Sequence, residues 1–308
     1  MEQRSTTLRV ALAGLTAVSL ALSGCSPRQY VVRSLGDALA EGGAVYASDD
    51  DIELIGEATP FGLKTLESLL AVAPDHRGML LATTRGFTQY AYVYVQLPAE
   101  EAEERDVAAA YAQRERARRL YLRARDYGLR GLRLGGEAAL LRLLSDPSKT
   151  LAATTRDDVA LLYWTGVAWF AAIALSKDSP ATIAGLPGAD ALIGRAAALD
   201  PDFDHGSLQT FLIGYEMNRP NAGADAEARA RTHFARAVKL SAGGQAAPYV
   251  SLAESVCVVQ NKPREFRHLL NQAIQLDAGA HPEWRLANLV MQRRARRLLV
   301  RADELFPE

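Results

Sequence analysis

The chain has 308 residues, of which 49% are hydrophobic and 23% are charged, and its formal net charge is −1. This length and composition predict a globular protein with one large domain or two small ones. The near-zero charge argues against a nucleic-acid-binding function, because there is no excess of cations to attract phosphates. The two cysteines, Cys25 and Cys257, are too few for a disulfide framework.

Residues 1–25 have the features of an export signal. Two arginines precede an apolar run, Val10 to Leu22, which is too short to favour a transmembrane helix. The small residues before Cys25 resemble a bacterial lipobox, which implies that the Cys25 thiol receives a diacylglycerol group and that cleavage occurs before it. The alternative interpretation is an ordinary signal peptide that happens to contain a cysteine.

The mature protein is expected to begin at Cys25 and to form a single all-helical domain, residues 26–308, which the lipid on Cys25 anchors to the periplasmic side of a bacterial membrane. Ser26 stands where an aspartate often retains such proteins at the inner membrane, so its presence favours the outer membrane.

The first helices are predicted at residues 30–41 and 49–72. Ser48 and the three aspartates after it form a cluster suited to capping the second helix, because acidic side chains stabilise a helix amino terminus. A metal site is the alternative interpretation of three successive aspartates, but their spacing is not that of a calcium-binding loop. The cap is therefore the favoured prediction.

Residues 59–95 are the stretch around which the rest of the chain is organised, and the helix predicted from Gly78 to Leu97 is unusually aromatic. Helical spacing gives this helix two lines of side chains. The first line is Thr83, Phe87, Tyr90 and Tyr94, and the second is Arg85, Gln89, Tyr92 and Gln96.

We predict that this helix forms the wall of a ligand channel or partner cleft. Its aromatic side chains offer large contact areas, and the tyrosines keep a polar tip. Arg85 is the expected charged anchor for a carboxylate. The candidate binding residues are Arg85, Phe87, Gln89, Tyr90, Tyr92, Tyr94 and Gln96. The alternative is that Phe87, Tyr90 and Tyr94 simply belong to the core.

A long arginine-rich helix follows at about 103–127, and its charges are expected to form ion pairs on a solvated face. The alternative is that this helix binds an anionic partner. A short helix near 137–144 comes next. The helix predicted at 159–175 is apolar nearly all round, which indicates that it is buried.

A repeat with small residues at fixed positions occupies the second half of the chain. Its leucines, Leu199, Leu240 and Leu276, are 41 and 36 residues apart, close to the period of about 34 residues of tetratricopeptide repeats. The pattern predicts an all-α solenoid of helical hairpins with extra flanking helices. A final helix begins at Pro282, and its basic run, residues 293–301, is expected to be a solvated cap. The alternative is a role at a membrane surface, which the near-zero net charge disfavours.

The sequence contains no recognisable catalytic constellation. Its five histidines are scattered, and it has no HExxH, GxSxG, P-loop or GxGxxG pattern. Cys257 lies among valines, which favours a buried structural thiol over a nucleophile. A non-enzyme without metal or cofactor is therefore predicted.

Several short motifs resemble the T component of TRAP (tripartite ATP-independent periplasmic) transporters. The most specific is Gly86-Phe87-Thr88-Gln89-Tyr90-Ala91, which is accompanied by Pro60-Phe61, Pro74-Asp75 and the run from Ala117 to Tyr121. The resemblance implies a tetratricopeptide-type lipoprotein that binds the periplasmic solute-binding component. It also implies a homo-oligomer, expected to be a trimer, with a channel through each helical domain. The alternative function is a scaffold lipoprotein for envelope assembly.

Overall fold

The computed structural model describes residues 27–176, 179–219 and 222–306. Cys25 and the rest of the predicted leader therefore lie outside the described residues. The structure is 79% helical and has no strand in its described parts, which confirms the all-α prediction. None of the described helices combines the length and apolar character that crossing a membrane requires.

The first half of the chain is built around three long helices. Each of them begins at a residue whose side chain caps the helix, namely Asp51, His76 and Asp106. The Asp51 side chain, for example, accepts a hydrogen bond from the backbone N–H of Leu54 at 2.9 Å. The helices are α1 (Pro27–Glu41), α2 (Gly43–Ala47), α3 (Ile52–Leu70), α4 (Arg77–Ala91), α5 (Leu97–Ala102), α6 (Val107–Gly131), α7 (Glu137–Ser145) and α8 (Pro147–Leu151).

The second half consists of successive helices that pack mainly on their neighbours. They are α9 (Val159–Ala174), α10 (Pro180–Ile183), α11 (Leu186–Leu199), α12 (Phe203–Asn218), α13 (Ala226–Leu240), α14 (Ala247–Leu252), α15 (Pro263–Gln275), α16 (Arg285–Val300) and α17 (Ala302–Leu305).

Two helices contain a π-helical turn, in which the hydrogen bonds span five residues. One turn, Tyr92–Gln96, joins α4 to α5, and the other, Ala253–Cys257, follows α14. The stretch predicted as one helix from Gly78 to Leu97 is thus helical along its whole length, with a change of pitch in its last third.

The repeat predicted from the leucines corresponds to consecutive packed helices. Its small residues Ala196, Ala237 and Ala273 are all buried, which lets adjacent helices approach closely. The Arg231 guanidinium donates to Glu265, 34 residues later, at 2.6 Å, so an ion pair also joins two successive units. The helical pairs are present, and their assignment to the tetratricopeptide type stays a prediction.

The carboxyl-terminal helix does not stand free at the end of a solenoid. Helix α16 contacts α2 and α3, and the Arg285 guanidinium donates to the backbone carbonyl of Ser48 (3.2 Å). On the same helix, Arg294 binds Glu100 at 2.8 Å, although 194 residues separate them. The helices therefore close into a ring around a central space.

The prediction that the basic run at 293–301 is a solvated cap is wrong for three of its arginines, whereas Arg293 and Arg296 are exposed. Arg294 is mostly buried, Arg297 donates to the Glu100 carbonyl (2.9 Å), and Arg301 lies 3.1 Å from Glu104. The run instead binds the acidic segment that includes α5. Separation in sequence hid this pairing, because complementary charges far apart in the chain carry no local periodicity.

The arginine-rich helix α6 forms the ion pairs predicted for it. Arg114 binds Glu103, and Arg123 binds Glu67, a carboxylate that also accepts from the Tyr127 hydroxyl at 2.8 Å. Burial opposes the charge of Glu67, but donation from Lys64, Tyr127 and Arg123 outweighs that effect and lowers the pKa of this carboxylate.

Candidate binding cavity

The ring encloses a cavity of about 1340 Å³. Side chains and backbone from both ends of the chain line it, so it exists only because the ring is closed. Its wall is mainly apolar and carries many aromatic rings, including those of Tyr46, Tyr90, Tyr92, Tyr94, Tyr121, Tyr163, Trp164, Phe170, Phe211 and Tyr215.

Six of the seven candidate binding residues line this cavity. They come from α4 and the π turn after it, and they are Arg85, Gln89, Tyr90, Tyr92, Tyr94 and Gln96. The predicted line of Arg85, Gln89, Tyr92 and Gln96 thus faces the cavity in full. The line that begins at Thr83 divides, because Thr83 is buried while Tyr90 and Tyr94 reach the cavity.

Phe87 does not line the cavity. It is buried, its ring stacks on Tyr127 with centroids 6.2 Å apart, and the Arg123 guanidinium lies 5.0 Å from its centroid. Phe87 therefore belongs to the core, the alternative that its aromatic pattern left open. The reason is that α4 is packed on both α3 and α6, so its face opposite Arg85 and Gln89 is covered.

Hydrogen bonds hold two side chains of the π turn, Tyr94 and Gln96, in place at the end of the candidate wall. The Tyr94 hydroxyl donates to the Ile52 carbonyl at 2.9 Å. Gln96 is held at both ends of its amide, since its oxygen accepts from the Tyr121 hydroxyl (2.7 Å) and its nitrogen donates to Glu100 (3.0 Å). These bonds show that Tyr94 and Gln96 shape the wall and that their polar atoms are already engaged.

Close packing also depends on one glycine in α3. A Cβ atom on Gly56 would lie 2.6 Å from the Tyr94 ring, a distance at which the ring would have to move. The absence of a side chain there lets Tyr94 lie between α3 and the cavity.

Arg85 is the cavity-lining cation that lacks an acidic partner. Its guanidinium lies 5.7 Å from the centroid of the Trp164 ring, and it forms no ion pair within the part of the chain that the structure describes. The cavity-lining Arg219 differs, because Glu216 lies 3.1 Å from its Nε. The cavity-lining Glu254 is likewise neutralised, by Arg294 at 2.6 Å.

Three tyrosines of the wall, Tyr92, Tyr94 and Tyr215, are neutral hydrogen-bonding groups. Burial raises the pKa of Tyr92 and that of Tyr94 to about 12. Burial also raises the pKa of Tyr215 to about 12, with a hydrogen bond to Asp190 adding to the effect. Near neutral pH these hydroxyls keep their protons, so Arg85 dominates the electrostatic character of its part of the cavity.

The part of the wall that α9 and α12 form was not among the candidate residues. The Phe170 ring of α9 lies 5.7 Å from the Phe211 ring and 5.5 Å from the Tyr215 ring of α12, measured between centroids, and Trp164 of α9 lies beside Arg85. Helix α9 was predicted to be buried because it is apolar nearly all round. Its bulky residues Trp164, Val167 and Phe170 recur at a spacing of three, and that stripe was the available signal.

No three histidine, cysteine, aspartate or glutamate side chains stand close enough to hold a metal ion in the described ranges. The aspartates near residue 50 instead act on the backbone: Asp51 caps α3, and Asp49 accepts from the Asp51 N–H at 2.8 Å. Cys257 is buried, and burial raises the pKa of its thiol to about 12.

The family model of the TRAP transporter T-component matches residues 48–306. The chain belongs to this family. A T component is a transporter accessory subunit rather than an enzyme, and it works at a periplasmic or membrane-associated location. The chain is also 28% identical over 308 residues to an uncharacterized protein of Treponema pallidum (strain Nichols), with 94% of this chain and 95% of that protein covered. Helices α1 and α2 precede the residues that the T-component model matches.

Proposed function

We propose that this T component is a lipid-anchored accessory subunit that binds the periplasmic solute-binding protein of its TRAP system and holds an organic acid in the central cavity. The observation that supports the solute class is the combination of an aromatic, largely apolar wall with one unpaired guanidinium, that of Arg85. An apolar body fits the wall, and a carboxylate complements the cation.

The size of the cavity favours passage as well as binding. Pockets for small ligands commonly have volumes of about 300–1,000 Å³. A space of about 1340 Å³ leaves room for such a solute to move along the wall. Gln89, beside Arg85 on the same helix face and exposed toward the cavity, supplies a second polar contact along that path.

The proposed assembly has three further parts. Lipid on Cys25 holds the chain at the periplasmic face of a membrane, with the outer membrane favoured. Restriction to that surface raises the effective concentration of partners there. A homotrimer, proposed from the resemblance, would place three cavities side by side.

Binding of an amphipathic acid tests the cavity. The polyene fatty acid cis-parinaric acid reports its own transfer into an apolar site by fluorescence, and its methyl ester lacks the charge. We expect Arg85→Ala to weaken binding of the acid by about 10- to 100-fold, since a hydrogen bond to a charged group contributes about 1.5–3 kcal/mol. The ester should be bound equally by both proteins.

A matched arginine outside the cavity controls for loss of charge. Arg119 is exposed on α6 and does not line the cavity. Arg119→Ala should bind the acid like the wild type. Equal loss in both variants would refute the role of Arg85, and equal loss of acid and ester would mean that Arg85→Ala had altered the cavity itself.

A pull-down from native membranes tests the partner. Recovery of a solute-binding protein supports the proposal, and recovery of envelope-assembly proteins in its place supports the scaffold alternative.

Gln89→Ala and Arg85→Ala should weaken solute uptake while leaving the helical circular dichroism signal intact. Uptake and association that survive both substitutions would place the site elsewhere.

A further inference from the structure

Exposed apolar side chains are concentrated at the amino-terminal end of the described chain. Helices α1 and α2 contribute 15 and 5 residues, yet they hold six of the fourteen large apolar side chains exposed in the described residues. These six are Tyr30, Val31, Leu35, Leu39, Val45 and Tyr46. We call this set the amino-terminal apolar face.

Helix α1 is apolar on two sides. Its inner side packs on the protein: Val32 contacts the core cluster that contains Met79, and a Cβ on Gly36 would lie 2.6 Å from the Met79 sulfur. Its outer side carries Val31, Leu35 and Leu39 at intervals of four residues, which aligns them along one stripe. The two stripes are adjacent, because successive helical residues are about 100° apart, so the apolar surface of α1 extends beyond the part that the protein covers.

We propose that the amino-terminal apolar face rests on the surface of a phospholipid bilayer. This inference depends on the proposed lipid attachment at Cys25. Pro27, the first residue of α1, is two residues after Cys25, and two residues span at most about 7 Å when fully extended. The start of α1 would therefore lie at the headgroups, whatever conformation the connecting residues adopt.

The charge next to the stripe suits a lipid surface. Arg28 is exposed three residues before Val31 and so lies on the same side of α1. An arginine at the end of an apolar stripe can keep its guanidinium among lipid phosphates while its stem contacts the apolar region.

The apolar face is continuous with the central cavity. Leu39 and Tyr46 are exposed and also line the cavity, together with Ala40, Gly42 and Gly43. Contact of this face with the bilayer would bring one side of the cavity next to the membrane. An amphipathic solute could then pass between lipid and cavity without crossing bulk water.

Site-directed fluorescence on the full-length, lipidated protein tests the assignment. Val31 and Val259 are a matched pair: both are exposed valines, at 61% and 67%, and Val259 lies outside the apolar face. Val31→Cys and Val259→Cys are labelled separately with an environment-sensitive nitrobenzoxadiazole dye. The native Cys257 is buried and stays unlabelled. Each protein is reconstituted in phosphatidylethanolamine–phosphatidylglycerol vesicles with nitroxide on their acyl chains.

The proposal predicts a blue-shifted emission and strong quenching for the label at position 31, and neither change for the label at position 259. Leu35→Glu in the Val31→Cys background should reduce the quenching, because it places a charge in the middle of the stripe. Since Leu35 is exposed, this substitution should leave the fold intact.

Other outcomes overturn the proposal and identify what replaces it. Quenching at neither position refutes it, and quenching at both means that the contact is not specific to this face. If the label at position 31 responds only after purified solute-binding protein is added, the face binds that partner. If it responds only at concentrations where the chain self-associates, the face binds a second copy. Mass spectrometry of the amino terminus shows whether Cys25 carries a lipid. A missing lipid would overturn the proposed anchoring and this inference, but it would leave the proposed solute site in the cavity untouched.

Discussion

Removing Arg294 should open the ring at the junction between its two ends. This side chain is 16% exposed and contacts Glu254 at 2.6 Å and Glu100 at 2.8 Å, and these carboxylates are 26% and 29% exposed. Burial alone would lower the pKa of Arg294, but the oxygens of Tyr92, Glu254 and Glu100 outweigh it and raise the pKa. The guanidinium is thus the common counter-charge of two partly buried carboxylates.

The expected cost of Arg294→Met follows from leaving those two carboxylates without it. Breaking a fully buried ion pair destabilises a protein by about 3–5 kcal/mol. Arg294, Glu100 and Glu254 are between 16% and 29% exposed, so solvent screens part of the cost of the unpaired charges. We therefore expect the free energy of unfolding to fall by about 2–4 kcal/mol. With a urea m-value of about 3 kcal/mol/M, the unfolding midpoint should fall by roughly 1 M.

Urea unfolding followed by far-ultraviolet circular dichroism measures this change, and Arg293→Met is the matched control. Arg293 is the preceding residue on α16, but its pair with Glu53 is exposed at 55% and 68%. Its loss should cost about 0–1 kcal/mol. A triple variant, Arg294→Met with Glu100→Gln and Glu254→Gln, should regain much of the stability because the unpaired charges are gone. Equal effects of Arg294→Met and Arg293→Met, or no rescue in the triple variant, would refute the reasoning.

Three further predictions concern packing, a thiol and the anchor. Gly128→Ala should destabilise the protein by about 1–3 kcal/mol in thermal unfolding, because the new Cβ would clash with the Thr165 hydroxyl oxygen. Unchanged stability would contradict the close crossing of α6 and α9. Cys257 should resist maleimide at pH 8 in the folded protein and react in urea, since the pKa of its thiol is about 12; rapid labelling of the native protein would contradict its burial. Cys25→Ser should abolish lipid attachment and release the chain from membranes, whereas unchanged fractionation and an unmodified wild-type amino terminus would count against the lipobox.

Local pattern in the sequence was sufficient for the helices and for much of one cavity wall. The period of about 3.6 residues located α4, α6 and α9, and it put Arg85 and Gln89 on one line of the aromatic helix. The buried alanines of the repeat marked where helices cross. Such features depend on neighbours within a few turns, so a single sequence contains them.

Closure of the ring was decided only by the tertiary structure. Arg294 meets Glu100 across 194 residues, and no spacing rule links two oppositely charged runs so far apart. The same limit applies to Phe87 and Trp164, whose aromatic character fits either a core or a cavity wall. Which role each takes depends on how the helices stack: α6 covers Phe87, whereas Trp164 lies beside Arg85 and lines the cavity.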